Sequence, residues 1–272
     1  MARTGPSDHY SKMAYYYDEI YANILDYEKQ TRFLEKIIRK HLGPRPRNIL
    51  DIACGTGNYT FVFAKHGYNV TGIDVSDAML KVARKKAGDR ENPRFYKMDM
   101  RQIRLKEQFD VATVLFGGFG YLEKEEDVGQ FFVSVGKRLN RHGLLMFEFW
   151  QNSAVLPAST GKSGMKSWDR AETDDLKIVR LNLSRYDPHT NVLDVKFDFY
   201  ITDRKHRKLV DEFSETHKVK TYSISQMRGL LQQNGLKALA FYDVDLVRAE
   251  KGEVAPASFS TFRVMAVAKL AR

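Results

Sequence analysis

The chain predicts an α/β fold built on a mostly parallel, doubly wound sheet, and three observations carry that expectation. Short apolar strands alternate with helical periodicity up to about residue 150, the first two strands stop at carboxylates beside a glycine-punctuated turn, and the period drops to two between Ile178 and Tyr222. Asn48 to Ile52 reads as a buried parallel strand because its apolar run is nearly unbroken. Before it, Phe33, Leu34, Ile37 and Ile38 recur at helical spacing within residues 27 to 41, and Gly43-Pro44 stops the run. After it, a helix is expected from Tyr59 to about His66, a strand from Asn69 to Ile73, and a helix through Lys86 capped by Ser76 and Asp77. Lys124 to Leu139 reads as a further helix, followed by a strand from Leu144 to Phe149.

Beyond residue 150 the pattern changes. Val179, Leu181 and Leu183 alternate with Arg180, Asn182 and Ser184, and Leu193, Val195, Phe197, Phe199 and Ile201 alternate with polar residues, as in an antiparallel sheet with one wet face. Asp187-Pro188 and Arg204 to Lys208 are its expected turns. A helix opening near Ser223 or Ser225 and two strands, Lys237 to Val244 and Ser260 to Leu270, close the chain.

The corner after the first strand indicates a ligand. Asp51 precedes Ala53-Cys54-Gly55-Thr56-Gly57, whose glycines let bare backbone approach a small polar molecule. Asp74, about twenty residues further on, is placed to accept both hydroxyls of a ribose. A dinucleotide site needs a third glycine so that a helix N-terminus can approach a pyrophosphate, and Tyr59 and Thr60 stand there instead. Asp51 would repel a phosphate and suits an ammonium. A ligand with a ribose and a cationic amino-acid tail is S-adenosylmethionine.

With these residues the chain resembles the class I S-adenosylmethionine-dependent methyltransferases. Asp51, Ala53, Gly55 and Gly57 match the first motif, with Ala53 in place of the commoner glycine; Asp74, Val75 and Ser76 look like the second. Phe95 to Met100 is similar to the third, in which Asp99 would accept from the adenine amino group between Met98 and Met100. Phe109 to Val111, with Leu115, Phe116 and Gly117, is similar to the fourth strand and the loop beside the methionine moiety. Met79, just inside the next helix, joins the expected cofactor set with Cys54 and Thr56. The resemblance implies a Rossmann-like, seven-stranded sheet with an antiparallel β insertion before the last helix and hairpin. It divides the chain into an N-terminal helical lid (1–45), a cofactor-binding core (46–150), an insertion that caps the substrate (151–222) and a C-terminal helix and hairpin (223–272).

Glu148-Phe149-Trp150, the alternating sheet and the tyrosine-rich opening together look like the sugar N,N-dimethyltransferase branch, whose members methylate amino groups of nucleotide-linked aminosugars. Where sugar-modifying members carry a histidine after the fourth strand, this chain has Phe119-Gly120-Tyr121-Leu122.

Methyl transfer from a sulfonium is an in-line displacement, so a nucleophile must be held about 3 to 3.5 Å from the methyl carbon with water excluded. An amine must also arrive neutral, which calls for desolvation or a proton acceptor. Tyr121 and Glu148, at the carboxyl ends of strands four and five, are the expected catalytic candidates; Tyr121 reads equally as an orienting hydroxyl and Glu148 as a buried, paired acid. Tyr10, Tyr15, Tyr16, Tyr17 and Tyr21 surround Asp18 and Glu19, an aromatic density suited to a lid. The resemblance places Tyr17 and Tyr21 near the methionine moiety. Tyr10, Tyr16, Trp150 and Trp168 are expected at the acceptor pocket, with Arg180 facing an anionic acceptor.

Composition limits the alternatives. The 272 residues, 43% hydrophobic, suffice for one core with a satellite subdomain. A single cysteine, Cys54, excludes an intramolecular disulfide, and with no charged-then-apolar leader the expected location is cytoplasmic. No apolar stretch nears the roughly 18 residues that span a bilayer, so no membrane partner is expected. The net charge of +10 is spread evenly: residues 1 to 150 carry 24 Lys and Arg against 19 acids, and 151 to 272 carry 20 against 15, or +5 each. With no basic tail, nucleic acid is disfavoured and the Arg204 to Lys208 cluster reads as a solvated loop tip. The expected partner is a small-molecule acceptor, and the alternating sheet offers a surface on which two subunits can pair. Small-molecule O-methylation, an RNA methyltransferase or RNA-binding protein on the same fold, and a cofactor-binding regulator remain alternatives to N-methylation.

Overall fold

The computed structural model describes residues 10–22, 24–44, 46–159 and 164–271; the opening stretch 1–9 of the expected lid and 160–163 of the expected cap lie outside them. Five parallel strands carry the site: β1 (Asn48–Ile52), β2 (Asn69–Asp74), β3 (Arg94–Lys97), β4 (Phe109–Val114) and β5 (Leu139–Trp150). Three more, β10 (Leu236–Asp243), β11 (Ala255–Pro256) and β12 (Arg263–Leu270), extend the sheet in the order β11-β10-β12-β5-β4-β1-β2-β3. The order reverses between β1 and β4, where an open α/β sheet leaves a crevice outside its carboxyl ends. Eight strands stand where seven are expected; the extra one is the two-residue β11, paired to Tyr242 and Asp243.

Both faces of the sheet are covered, which is why β1 is buried almost throughout. Leu50 and Ile52 join a core with α5 (Glu125–Gly136) and α7 (Ile224–Gln233), through Val128, Phe131, Phe132, Met227 and Leu231. Ile49 joins the opposite core with α2 (Tyr27–Leu42) and α3 (Asn58–Lys65), through Phe33, Leu34, Ile37, Ile38 and Phe63. Thus α2 is part of the sheet's cover and not of a lid. Its ends are set locally: the Asp26 side chain accepts from Lys29 N at 3.0 Å, and Gly43 breaks the helix at φ +76°. On α4 (Asp77–Ala87) Ser76 is the N-cap, and Ser223 with Gln226 forms a capping box on α7.

The strand expected to start at Leu144 starts at Leu139, and its pairing with β4 slips between Phe109 and Val111, so Asn140 to Gly143 form an irregular entry to β5. The cap is a second, four-stranded antiparallel sheet in the order β6 (Met165–Glu172), β7 (Leu176–Asp187), β8 (Val192–Asp203), β9 (Lys208–Lys220). Strand β6, α6 (Asn152–Ser159) and α8 (Leu246–Lys251) have no counterpart in the sequence expectations.

One expectation about the cap is reversed. On β8 the residues Leu193, Val195, Phe199 and Ile201 are buried as the alternation predicts, but on β7 the buried set is Ile178, Arg180 and Ser184, while Leu181 is exposed. Register explains it. Arg180 lies opposite Phe199 and Ile178 opposite Ile201, and residues directly opposite share a face. Ala171, Ile178, Phe199 and Ile201 pack on Met13, Ile20, Tyr21 and Leu25, so the segment around α1 (Tyr17–Ala22) is held beneath the cap. Among the described residues no helix is long and apolar enough to cross a membrane.

Candidate active site

The turn after β1 is bent by three residues at positive φ, Ala53 (55°), Gly55 (57°) and Gly57 (84°). Gly57 has a second reason to lack a side chain: a Cβ there would meet the Phe95 ring at 2.8 Å. The bend brings Gly55 N–H to Asp74 Oδ2 at 2.8 Å, while Ser76 N–H donates to Asp74 Oδ1 at 2.8 Å. Each oxygen keeps a further lone pair for a ligand. Burial raises the Asp74 pKa, against the pull of these backbone donors. Asp51, 2% exposed, accepts from Thr60 Oγ1 at 2.5 Å and Thr113 Oγ1 at 3.0 Å. No cation neutralises it in these contacts, and burial pushes its carboxyl up to about 6.

A cavity of about 1270 Å³ opens from this corner. Of the sequence-predicted cofactor residues it is lined by Tyr17, Asp51, Ala53, Cys54, Gly55, Thr56, Asp74, Val75, Met79, Met98, Asp99, Met100, Leu115 and Phe116; of the acceptor and catalytic candidates, by Tyr10 and Tyr121. Gly57 shapes the turn without lining the cavity, and Gly117, at φ 83°, backs onto the Trp150 indole.

Asp99 is engaged differently from the expectation. Arg101 forks onto it, Nε to Oδ1 at 3.0 Å and Nη2 to Oδ2 at 2.6 Å, and reaches Asp127 Oδ1 at 2.8 Å through Nη1. Burial pushes the Asp99 carboxyl up, but the Arg101 bonds outweigh it and hold it below the usual carboxylate range. An adenine amino group would therefore share this carboxylate with Arg101, which the sequence reading missed.

Several candidates lie elsewhere. Glu148 is buried, and its Oε2 accepts from Arg263 Nε at 3.1 Å and Nη2 at 2.7 Å; it does not line the cavity. Its register partner on β12 is Met265, and Arg263, two residues away on the same face, is what brings the guanidinium over it. Arg180, 6% exposed, is clamped by Asp169 Oδ2 at 2.7 Å and the Tyr21 hydroxyl at 2.8 Å, with its guanidinium over the rings of Tyr21 and Phe197. It ties lid to cap, and so does Tyr21; neither lines the cavity. Trp168 is 68% exposed on the outer face of β6, opposite Leu181. Trp150 packs on Phe262 at 5.2 Å, and Tyr16 stacks on Phe213 with its hydroxyl on Asp211.

Unforeseen residues complete the site. Asp18 of α1 crosses to the corner, accepting from Thr56 Oγ1 at 2.6 Å and Asn58 Nδ2 at 2.9 Å, with Lys86 Nζ at 2.7 Å from its other oxygen. At the far end the cap contributes Asp187, His189, Thr190, Asp194, Lys218 and Lys220, beside Glu123 and Lys124 of the core.

Tyr121 is presented by a 3-10 turn, Gly118–Tyr121, pinned because Phe119 is buried against Phe131 and Phe147. Its hydroxyl lies 2.5 Å from the Tyr10 hydroxyl and 2.9 Å from His217 Nδ1. His217 Nε2 lies 3.4 Å from Glu215 Oε2 on the same strand, and Glu215 in turn accepts from the backbone N–H of Tyr10 and Met13. The signal for His217 was its phase: it shares one face of β9 with Phe213 and Val219, while Ser214, Thr216 and Lys218 take the other.

Comparison with known proteins agrees with this geometry. Residues 49–143 match a methyltransferase domain family. A Bacillus subtilis protein carrying a methyltransferase name, YqeM, is 28% identical over 84% of this chain and 86% of its own length. The Streptomyces venezuelae dTDP-3-amino-3,4,6-trideoxy-alpha-D-glucopyranose N,N-dimethyltransferase is 26% identical over 78% of this chain and 84% of its own. A crystal structure of an S-adenosylmethionine-dependent methyltransferase from Clostridium acetobutylicum superposes with a TM-score of 0.77 at 20% identity, covering 97% of this chain and 99% of that one, which is a likeness of fold. The fold is that of the class I S-adenosylmethionine-dependent methyltransferases, residues 49–143 match a methyltransferase domain, and the chain resembles the sugar N,N-dimethyltransferase branch.

Proposed function

We infer that the chain transfers a methyl group from S-adenosylmethionine to the amine nitrogen of a small-molecule acceptor. The observation that carries this reading is one continuous cavity, with the acid-and-glycine corner at one end, a cap of mixed charge at the other, and Tyr10 and Tyr121 in its lining. The donor set fits the cofactor. Asp74, fixed by two backbone donors, would take the ribose hydroxyls; Asp51, buried without a cation, would take the ammonium; Met98 and Met100 would flank the adenine. Bound there, S-adenosylmethionine supplies a sulfonium methyl that passes to a nucleophile lone pair while the carbon–sulfur electrons remain on sulfur.

The chain's own residues close the site and orient the acceptor. Asp18 fastens the lid to Thr56, Asn58 and Lys86, which excludes water from the corner. The anionic-acceptor role that Arg180 does not fill falls to Lys218 and Lys220, and the carboxylates Glu123, Asp187 and Asp194 at the same end suit a cationic nitrogen. An acceptor that bears both an amino group and an anionic group matches this lining, and the aminosugar dimethyltransferase among the relatives makes such a molecule the first to try.

Calorimetric titration with S-adenosylmethionine tests the cofactor half. Asp74→Ala removes two charged hydrogen bonds to the ribose, worth about 1.5 kcal/mol or more each, so affinity should fall by about a hundredfold. Undiminished binding would sink the ribose assignment. Product analysis with an amine and its alcohol counterpart tests the other half, since methylation of the alcohol alone would replace N-transfer with O-transfer.

A further inference from the structure

Glu148 and Arg180, both marked for chemistry by the sequence, lie outside the cavity and belong to one buried column. Asp169 of β6 pairs with Arg180 of β7 at 2.7 Å, and Arg180 Nη1 donates to the Tyr21 hydroxyl at 2.8 Å while the guanidinium lies over the Tyr21 ring. The Tyr21 and Phe116 rings meet edge to face at 5.0 Å, the Arg263 guanidinium lies over Phe116 at 5.2 Å, and Glu148 pairs with Arg263 at 2.7 Å. The column crosses the cap, the lid, the loop after β4 and the sheet, and of its members Phe116 alone lines the cavity. Phe116 is also held in a costly conformation. Its φ is +56°, in the left-handed region that a bulky side chain rarely adopts, and Gly117 follows at +83°. Such a backbone persists only where its surroundings over-determine it.

We propose that this column is a positioning device: Arg180 and Arg263, neither of them in the cavity, hold Phe116 where it grips the amino-acid arm of the cofactor. The proposal rests on the S-adenosylmethionine reading above. Phe116 packs against both the core beneath α2 and the cluster that joins lid to cap. Two residues on, Gly118 stands so close to the corner that a Cβ there would meet Ala53 Cβ at 2.8 Å, so a shift of this loop is felt at the turn after β1. The carboxylates assigned to ribose and ammonium, Asp74 and Asp51, stand on β2 and β1, and the strand order β4-β1-β2 puts Phe116 on the Asp51 side. That is the side of the amino-acid arm. Burying two guanidiniums is costly unless each is paired, and Asp169 and Glu148 pair them. A planar cation between a ring and a carboxylate fixes the tilt of the ring as well as its place. Tyr59, which lines the cavity, is a further neighbour of Arg263, so a route through Tyr59 has to be separated from the one through Phe116.

Calorimetry with two ligands tests this without an acceptor. S-adenosylmethionine carries the arm; 5′-methylthioadenosine has the same adenine and ribose but no arm. Arg263→Lys keeps a charge for Glu148 and gives up the planar stack on Phe116, and Arg180→Lys does the same at the Tyr21 end. Each should weaken S-adenosylmethionine by about tenfold and leave 5′-methylthioadenosine within about twofold of the wild-type affinity. Parallel loss of both ligands would mean general damage to the corner, and unchanged binding of both would mean no coupling; either result overturns the proposal. Should Arg263→Lys fail to fold, Arg180→Lys decides alone. Phe116→Leu identifies the route. Combined with either lysine variant, it should weaken S-adenosylmethionine no further than Phe116→Leu does by itself, whereas additive losses would take the role from Phe116 and overturn the proposal. A wild-type protein that binds neither ligand overturns the cofactor reading, and the column's role with it.

Discussion

The glycine corner and the β cap meet across one cavity, but they are built by different kinds of rule. The corner is local: within seven residues, Asp51 to Gly57, the chain ends a strand, turns through three positive-φ residues and begins a helix. The cap is non-local: Arg180 is inward because of Phe199, and His217 reaches Tyr121 across 96 residues. A site that must grip one fixed cofactor can be specified largely locally, whereas the pocket proposed for the acceptor is assembled from lid, loop and inserted sheet, parts distant from one another in the chain.

Two glycine substitutions test this contrast most severely. Gly57→Ala strains a residue at φ 84° and drives a methyl to within 2.8 Å of the Phe95 ring. Left-handed strain of about 1–2 kcal/mol and overpacking of about 1–3 kcal/mol should together lower stability by about 2–5 kcal/mol. Cofactor binding should go with it, because the same turn carries Gly55 to Asp74. Gly120→Ala is the counterpart at the seam with the cap: its Cβ would stand 2.4 Å from Val219 Cγ1. The cost should be smaller, about 1–3 kcal/mol, because Val219 belongs to the cap's own cluster and can retreat with β9. Cofactor affinity should survive while acceptor turnover falls. Thermal melts and calorimetry on both variants decide; equal loss of cofactor binding would erase the distinction between the two regions.

The next effect concerns the corner alone. Burial sets Asp51 at about 6, with the Thr60 and Thr113 hydroxyls pulling down and Asp74 pushing up. The folded value lies above the unfolded one, so the ionised carboxylate costs stability at neutral pH, and the cost is relieved as pH falls through about 6. Pairing with the cofactor ammonium needs the charge. Affinity for S-adenosylmethionine should therefore be flat above pH 7 and fall below pH 6 by up to about tenfold per unit. Asp51→Asn should bind weakly and show no such slope. Titrations at pH 5, 6 and 7.5 measure this, and a flat wild-type profile would remove the ammonium from Asp51.

The same contrast explains what the sequence disclosed. Strand ends, Asp51, Asp74 and the glycine turn were legible because each is a property of adjacent residues, and 16 of the predicted site residues line the cavity. Glu148 stood between a catalytic acid and a buried, paired one because its partner, Arg263, is 115 residues away, and the ion pair favours the second reading. Arg180 was misjudged because period two gives alternation without saying which phase faces inward. Only pairing with Phe199 decides that, and the cost of burying the guanidinium is met by Asp169 and two aromatic faces. Trp168 was expected at the acceptor pocket, yet its phase on β6 places it outside. His217 was passed over because a lone histidine in an apolar phase becomes informative only once Tyr121 is beside it.

The smallest expected effect lies far from both regions and serves as a control on them. His66, which follows α3, holds Glu35 Oε1 at 3.0 Å through Nδ1 and Glu28 Oε1 at 2.8 Å through Nε2, so both ring nitrogens face carboxylates of α2. Burial lowers the histidine pKa, but the bonds to Glu28 and Glu35 outweigh it and the net shift is upward. A raised folded value means the stabilisation is fully present below the unfolded value of about 6.5 and is lost as pH rises through the folded one. Because the cluster is partly exposed and screened, the melting temperature should fall by only about 1–2 °C across that window. His66→Gln should abolish that step while leaving the low-pH loss of cofactor affinity at Asp51 in place. A variant that altered both would mean that the helix layer and the corner do not titrate independently.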